Sequence, residues 1–179
     1  MRALILCLPL CLGLAACGLD TDSETPKTDE KGTSLSVLAK DDSGQDVGIK
    51  TDANSGEVSV NLPGVDARVA LPKIVLKDSN FDLDGVRLYP GSSISAINVV
   101  ANSAATAGQS QVKVVFAAPA SPDTVRAWFA KAFADHGLTA TAKGTGLTGT
   151  TRDGDGFTMA FVPAEAGTTT GTILIADRN

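Results

Sequence analysis

The sequence predicts an α+β fold in which an N-terminal antiparallel β-meander precedes a β-α-β-β-β sheet with one amphipathic helix packed on it. A short β-solenoid is the alternative for the N-terminal part. Short apolar runs of period two fill residues 35–77, and a well-capped amphipathic segment follows at residues 121–137. Further period-two runs follow that segment. One helix among many short strands is typical of the α+β class.

The N-terminal runs alternate apolar and polar residues, as half-buried strands do. Turn-forming stretches separate them at residues 41–44, 52–56 and 63–66. Two units, Ser43–Ile49 and Ser55–Val60, nearly repeat each other at a spacing of about a dozen residues. Because a solenoid needs about three similar rungs and only two are visible, the meander is the preferred interpretation.

The middle of the chain is predicted to be a connector with one strand. Turn residues dominate residues 81–92, a strand is expected over residues 94–99, and small polar residues at 101–109 indicate a loop. The next strand places three apolar side chains on one face, namely Val112, Val114 and Phe116.

The clearest helix in the chain begins after Ser121. Ser121 is expected to be the N-cap and Pro122 to occupy the first helical position, where a missing N–H has no cost. Gly137 supplies the left-handed residue that ends the helix. One apolar stripe, expected to cover a sheet, is formed by Val125, Trp128, Phe129, Ala132 and Phe133.

Strands are predicted after the helix at residues 139–143, 147–152, 157–162 and 170–176. The glycines within Asp153-Gly154-Asp155-Gly156 favour a hairpin between the second and third of these strands, because glycine adopts positive φ without strain.

The N-terminal residues are predicted to form a secretion signal. Met1-Arg2 is positively charged, and Ala3–Leu14 is an apolar segment too short to span a bilayer. Leu14-Ala15-Ala16-Cys17 then resembles the lipobox of bacterial lipoproteins. The resemblance implies cleavage before Cys17, attachment of a diacylglycerol to its sulfur and acylation of the new amino group.

The residue after the cysteine bears on localisation. In Gram-negative members of the lipoprotein families, an Asp directly after the cysteine favours retention in the inner membrane. Gly18 stands there in this chain, which implies an outer-membrane protein that faces the periplasm. A Gram-positive source would remove that implication.

The chain is divided accordingly into five parts. They are a signal peptide at residues 1–16, the lipidated cysteine with a flexible tether at 17–34, a β-rich meander at 35–78, a connector and strand at 79–110, and an α+β domain at 111–179. Residues 86–177 resemble small α+β domains of uncharacterised bacterial envelope lipoproteins. That resemblance implies a fold and a compartment and transfers no site residues.

Composition limits the partners. Removal of residues 1–16 would leave Cys17 as the one cysteine of the given sequence, so no disulfide within the chain is expected. The formal net charge of the whole chain is −5, and removal of Arg2 makes it about −6, which makes nucleic acid an unsuitable partner. No later segment is apolar over the length that a membrane-spanning helix requires, so the lipid is the expected membrane anchor.

Titratable residues suggest no reactive cluster. His136 is the single histidine, and it falls in the last helical turn, where its partial positive charge favours the helix dipole. Asp153 and Asp155 lack the further ligands of a calcium loop. Asp82 and Asp84 are expected to point the same way into solvent from an extended segment.

The remaining motifs are also interpreted structurally. There is no Gly-x-Ser-x-Gly elbow, and Gly144-Thr145-Gly146 is interpreted as a strand connection rather than a phosphate-binding loop. Trp128 and Phe129 are assigned to the core because aromatic residues at helical spacing usually pack there. Tyr89, in a turn beside Pro90, is the single candidate contact residue apart from the lipidated Cys17.

These observations favour a non-catalytic, lipid-anchored protein of the outer membrane that binds or scaffolds another envelope component. A carrier or chaperone for an apolar molecule is the first alternative, and it needs a cavity between helix and sheet. An enzyme is the second, and it needs carboxylates that converge in a cleft. No metal or cofactor is expected, and the sequence leaves the oligomeric state open.

Overall fold

The structure is a computed structural model that describes residues 32–40, 45–70, 74–101 and 110–177. Cys17, the predicted signal peptide and nearly all of the predicted tether lie outside these residues. The strands are β1 (Ser34–Lys40), β2 (Asp46–Thr51), β3 (Glu57–Leu62), β4 (Val65–Ala70), β5 (Leu76–Lys77), β6 (Ser93–Ala101), β7 (Gln111–Ala118), β8 (Ala140–Lys143), β9 (Gly146–Thr150), β10 (Gly156–Pro163) and β11 (Thr169–Ala176). The α-helix is α1 (Pro122–Asp135), and single 3₁₀ turns lie at Asp78–Asn80 and Glu165–Gly167.

All of these strands belong to one mixed sheet, in the order β4-β3-β2-β1-β6-β7-β11-β10-β9-β8, with β5 paired to the start of β6. We call β1–β4 the N-terminal section, and β6–β11 with α1 the C-terminal section. Consecutive strands of the N-terminal section are antiparallel neighbours. The two sections meet where β1 runs parallel to β6.

The α+β class is confirmed, because the described residues form a mixed sheet of many strands with one α-helix. The solenoid alternative is wrong, because β1–β4 lie side by side as hydrogen-bonded neighbours and do not stack as rungs. One sheet also continues through the predicted connector, since β6 pairs with β1 on one side and with β7 on the other.

Thr33 holds the junction between the two sections. Its hydroxyl donates to the carbonyl oxygen of Ile94 and accepts from the backbone N–H of Leu76 at 3.0 Å. Its own N–H donates to the carbonyl oxygen of Ile74 at 2.7 Å. This buried side chain therefore fastens β5, β6 and the start of β1 together where β1 replaces β5 beside β6.

The helix forms as its capping residues predict. The Ser121 hydroxyl accepts from the Thr124 N–H at 3.4 Å, and the helix begins at Pro122. It ends at Asp135, followed by Gly137 with φ of 73°. The backbone N–H of Leu138 then donates to the carbonyl oxygen of Phe133 at 2.9 Å, as in a Schellman-type end.

Aromatic rings fill the space between α1 and the sheet. Phe129 is fully buried and lies 5.9 Å from Phe116 and 5.7 Å from Phe161, measured between ring centroids. Phe133 stacks on Phe157 at 4.8 Å. Such tightly spaced rings make this side of the C-terminal section a packed core.

The strands after the helix follow the predicted order. The turn between β9 and β10 is closed by a hydrogen bond from the Thr151 N–H to the Asp155 carbonyl oxygen at 2.9 Å. Gly146 follows the β8–β9 turn, and a Cβ atom at this position would approach the Met159 carbonyl oxygen to 1.9 Å. The glycine is needed there because the backbones of β9 and β10 come so close.

Candidate functional site

The two sides of the N-terminal section differ sharply in chemistry. Residues directly opposite each other in neighbouring strands share a side of the sheet, and successive residues alternate sides. The pairs Leu35–Ile97 and Val37–Val99 therefore place the odd-numbered residues of β1 on the side that carries α1. Ile49 of β2 lies opposite Val37, Val60 of β3 opposite Ile49, and Ala67 of β4 opposite Val60. These residues therefore lie on the same side of the sheet, as far as its edge at β4.

We call this surface the apolar face, because the strand positions that form it are occupied by aliphatic residues, with Thr51 at one margin. Its members are Leu35, Val37, Ala39, Val47, Ile49, Val58, Val60, Leu62, Val65, Ala67 and Val69.

Much of the apolar face is open to solvent. The exposed fractions of Ile49 and Leu62 are 41% and 45%, and those of Val65 and Val69 are 51% and 52%. The helix packs on β8, β9 and β10, at the other end of the sheet. Contiguous exposed aliphatic surface of this kind marks interaction sites in folded proteins.

The opposite side of the N-terminal section is polar. It contains a shallow concavity of about 590 Å³, with Asp46, Lys50, Asp66 and Arg68 among its lining residues. At its margin, the Lys40 ammonium donates to the Asp46 carboxylate at 2.8 Å. Because charges of both signs alternate there, this side shows no single-sign field that would attract an ionic ligand.

A second open groove, of about 560 Å³, lies over β8 and β9 and is lined largely by threonines, with Arg152 at one end. The Arg152 guanidinium is already engaged, since it donates to the carbonyl oxygen of His136 at 3.1 Å. The groove therefore offers hydroxyl groups and one basic side chain, Arg152, at its end.

Tyr89, the candidate contact residue, is half-buried rather than exposed. Its ring packs edge-on against Trp128 at a centroid distance of 5.9 Å, and Trp128 in turn lies against Phe129 at 4.9 Å. The backbone N–H of Ser92 donates to the Tyr89 carbonyl oxygen at 3.0 Å, which closes the turn. Tyr89 thus has a structural role beside the helix, and a contact role for it stays a prediction.

Asp82 and Asp84 do not lie on an extended segment. Asp82 precedes a tight turn and Asp84 lies within it, where Asp84 and Gly85 have φ of 56° and 93°. Asp82 accepts from the Gly85 N–H at 2.8 Å, whereas Asp84 accepts from the Arg152 N–H at 2.8 Å. The expectation that both point the same way into solvent is wrong, because the turn sends the two carboxylates to different partners.

His136 is the C-cap residue, one position beyond the last helical residue and therefore just outside the last turn in which it was expected, and its imidazole lies against Gly85. Within the described part of the chain, no group of three or more His, Cys, Asp or Glu side chains could hold a metal ion. Asp153 and Asp155 lie at the β9–β10 turn, as the hairpin prediction requires. None of the helices among the described residues has the length and apolar character to cross a bilayer.

Among the described residues, Asp52 has a carboxyl group with a shifted pKa. The backbone N–H groups of Ser55 and Asn54 each donate to its Oδ1 at 2.8 Å, and the Ser55 hydroxyl adds a third bond at 3.1 Å. These bonds favour the ionised form and hold the pKa of Asp52 below its usual range, with the Ser55 N–H the largest cause. The group shapes the β2–β3 turn.

Comparison of the chain with protein-family models, with curated proteins and with solved structures finds no match.

The apolar face is the candidate feature that sequence reasoning missed. The period-two runs identified most of its residues as one side of several strands and left open what covered that side. The assignment of Val65 and Asp66 to a turn was wrong, because both belong to β4. The relevant signal was the presence of a single amphipathic helix, which is too short to cover a sheet ten strands wide.

Proposed function

We propose that this chain is a lipid-anchored, non-catalytic protein of the bacterial envelope that binds another envelope protein through the apolar face. Anchoring rests on the lipobox-like sequence at Cys17, and the outer membrane is proposed from Gly18. The observation that carries the binding role is the exposure of uncharged aliphatic residues across three adjacent strands, β2, β3 and β4. No enzymatic activity is proposed.

The position of the apolar face relative to the predicted anchor supports this role. The face begins at β1, which the predicted tether after Cys17 enters directly. About 16 residues separate Cys17 from β1, and such a segment reaches at most ~55 Å when extended. A face held at that distance from the membrane would meet the soluble parts of envelope proteins.

A protein partner suits the apolar face better than the membrane surface does. The strand positions of the face hold no lysine or arginine to meet anionic headgroups. The negative net charge of the chain also opposes a close approach to an anionic bilayer. An uncharged, aliphatic surface of another protein would bury the face without leaving charges unpaired.

The carrier alternative finds less support, because it needs a cavity between helix and sheet. That space is filled by the rings of Phe116, Phe129, Phe133, Phe157 and Phe161. The concavity of about 590 Å³ lies instead on the polar side of β1–β4, where an apolar cargo would not be desolvated.

Photo-crosslinking in intact cells tests the binding role. A photoreactive amino acid would replace Ile49 in one strain and its neighbour Lys50, on the opposite side of β2, in another. We expect position 49 to capture one specific envelope protein that position 50 does not capture. Copurification of that protein should then be lost in Ile49→Ser and kept in Lys50→Ser.

Three outcomes would overturn the binding role: equal capture from both positions, lipid as the captured species, or no capture at position 49. The anchor has a separate test. Cys17→Ser should move the protein from the membrane fraction to the soluble fraction. A variant that stays in the membrane fraction would contradict lipid anchoring without bearing on the apolar face.

A further inference from the structure

The outer edge of the sheet at β4 has features of a self-pairing surface. β4 is the last strand of the sheet, and among the described residues it pairs with β3 alone. Its far side therefore presents a row of backbone N–H and C=O groups in a strand of six residues. Its sequence, Val65-Asp66-Ala67-Arg68-Val69-Ala70, alternates apolar and charged residues about Ala67.

Antiparallel pairing of β4 with the β4 of a second copy can be centred on Ala67. Ala67 then lies opposite the same residue of the other copy, and Val65 lies opposite Val69. On the polar side, Asp66 of each copy lies opposite Arg68 of the other. Two-fold symmetry therefore creates two ion pairs and two aliphatic pairs in one short ladder.

Charge selects this register over its neighbours. The apolar faces of both copies stay on one side of the sheet only when one strand slides past the other by two residues at a time. Each such shift moves the centre of the pair by one residue, from Ala67 to Asp66 or to Arg68. In the register centred on Asp66, the Asp66 carboxylates of the two copies lie opposite each other. In the register centred on Arg68, the two Arg68 guanidinium groups do. Like charges directly opposite destabilise a strand pair, so the register centred on Ala67 is favoured over both.

The Arg68 side chain is available for such a pair. It is 79% exposed, and its contact with Glu57 of the same chain is long, at 3.9 Å. The other edge of the sheet is different, because β8 has four residues and ends in Lys143. A short edge strand with a lysine is a usual protection against edge pairing, whereas the alternating signs on β4 attract an identical strand.

We infer that two copies of this chain associate edge to edge through β4, in the antiparallel register centred on Ala67, with Asp66 of each copy paired to Arg68 of the other. The inference goes beyond the proposed function, because the contact is made along the backbone edge of β4 and leaves the apolar face uncovered. In such a dimer the apolar faces of both copies lie side by side on one side of a continuous sheet. Edge pairing buries little surface, so the association is expected to be weak and reversible.

Disulfide trapping tests the register in cells that make the full chain. In the inferred dimer the two Ala67 Cα atoms lie about 4.5–5.5 Å apart, within the range that a disulfide bridges. Ala70 is the matched control on the same strand, because its two copies would lie about 20 Å apart. Ala67→Cys should give a covalent dimer under mild oxidation, and Ala70→Cys should not exceed the background of the chain without an added cysteine.

Charge exchange tests the ion pairs through the same readout. In the Ala67→Cys background, Asp66→Arg should lower dimer yield about tenfold, and Arg68→Asp should lower it similarly. Carrying both changes in one chain should restore the yield, as should coexpression of the two single variants with different tags. Restoration also shows that the charged variants fold.

Equal yields at Ala67→Cys and Ala70→Cys would overturn the inference, as would yields that do not respond to Asp66→Arg or Arg68→Asp. A yield that ignores these charge changes would indicate that the two copies associate through their apolar faces, because Asp66 and Arg68 lie on the other side of the sheet. The Ile49 experiment remains independent, since β2 is an internal strand.

Discussion

The two sections of the sheet have the same alternating strand pattern but different surroundings. In the C-terminal section, α1 covers β8, β9 and β10, and the aliphatic and aromatic residues beneath it are almost fully buried. In the N-terminal section, equivalent positions on the same side of the sheet remain partly or largely exposed. Period-two patterning therefore specifies which side of a strand is apolar, and a second layer decides whether that side becomes core.

The difference assigns separate roles to the sections. Burial of apolar surface contributes about 25 cal/mol per Å², so the helix-covered section should supply most of the folding free energy. The N-terminal section gains its order from strand pairing with β6 and from the Thr33 hydrogen bonds. Its apolar face is left available for a partner.

Two isoleucines on the same side of the sheet give the largest test of this contrast. Ile173 is fully buried and Ile49 is 41% exposed. We expect Ile173→Ala to lower the free energy of unfolding by about 2–5 kcal/mol, because it leaves a cavity beneath the helix. Ile49→Ala should cost less than about 1 kcal/mol, since its side chain is already in contact with water. Urea unfolding of both variants measures the difference.

Equal losses in the free energy of unfolding for these two variants would contradict the difference in burial between the two sections. A large loss for Ile49→Ala in particular would mean that the apolar face is covered in solution. That result would also remove the main support for the proposed binding role.

Thr33 offers a test of the junction. Thr33→Val keeps the shape of the side chain and removes the hydroxyl, so the Leu76 N–H and the Ile94 carbonyl oxygen lose a buried partner. We expect a loss of about 1–3 kcal/mol in the free energy of unfolding. Faster hydrogen exchange in β1 than in β11 would show that the N-terminal section loosens first.

Thr158→Val is the matched control, because Thr158 is an exposed strand threonine in the C-terminal section. Its effect on stability should stay within about 0.5 kcal/mol. If the two threonine variants are equally stable, the hydroxyl of Thr33 does not fasten the sections together.

Asp52 gives the smallest expected effect, and it is confined to the N-terminal section. Its folded-state pKa is depressed, first by the Ser55 N–H and then by the Asn54 N–H. The stabilisation from its ionised form is therefore present above its unfolded pKa of about 3.9, and it is lost as pH falls through the lower folded pKa. Asp52→Asn should reduce the acid-induced loss of stability below about pH 4.

Carboxyl NMR titration of Asp52 measures the shift directly, and Ser55→Ala is a useful partner variant. It removes the hydroxyl contact at 3.1 Å while keeping the backbone N–H bond at 2.8 Å. The Asp52 pKa should rise only part of the way toward its usual value. An unshifted pKa in the unmodified protein would show that the β2–β3 turn does not hold this geometry in solution.

Local chemistry made the C-terminal section predictable. Ser121, Pro122 and Gly137 located both ends of α1, because caps depend on residues within a turn of each other. The β9–β10 turn followed from the glycines at 154 and 156 for a similar reason. The strands after the helix lie within two residues of their predicted bounds.

Non-local contacts explain what sequence reasoning missed. The parallel pairing of β1 with β6 joins Ser34 to Ala96 across the whole N-terminal section. The bond from the Arg152 N–H to Asp84 spans 68 residues and redirects a carboxylate that was expected to face solvent. Neither pairing leaves a signal in hydrophobic period or turn composition, because both depend on how separate elements meet.

The sequence by itself determined the alternating strands, the capped helix, the turns and the lipobox-like segment at Cys17. Each of these depends on neighbours in the chain, through side-chain period, backbone preference or local hydrogen bonds. The tertiary structure alone decided that one sheet joins both sections, that α1 covers only one end of it, and that β4 forms a free edge among the described residues. These outcomes depend on which surfaces a single short helix can bury, and that is a property of the assembled sheet.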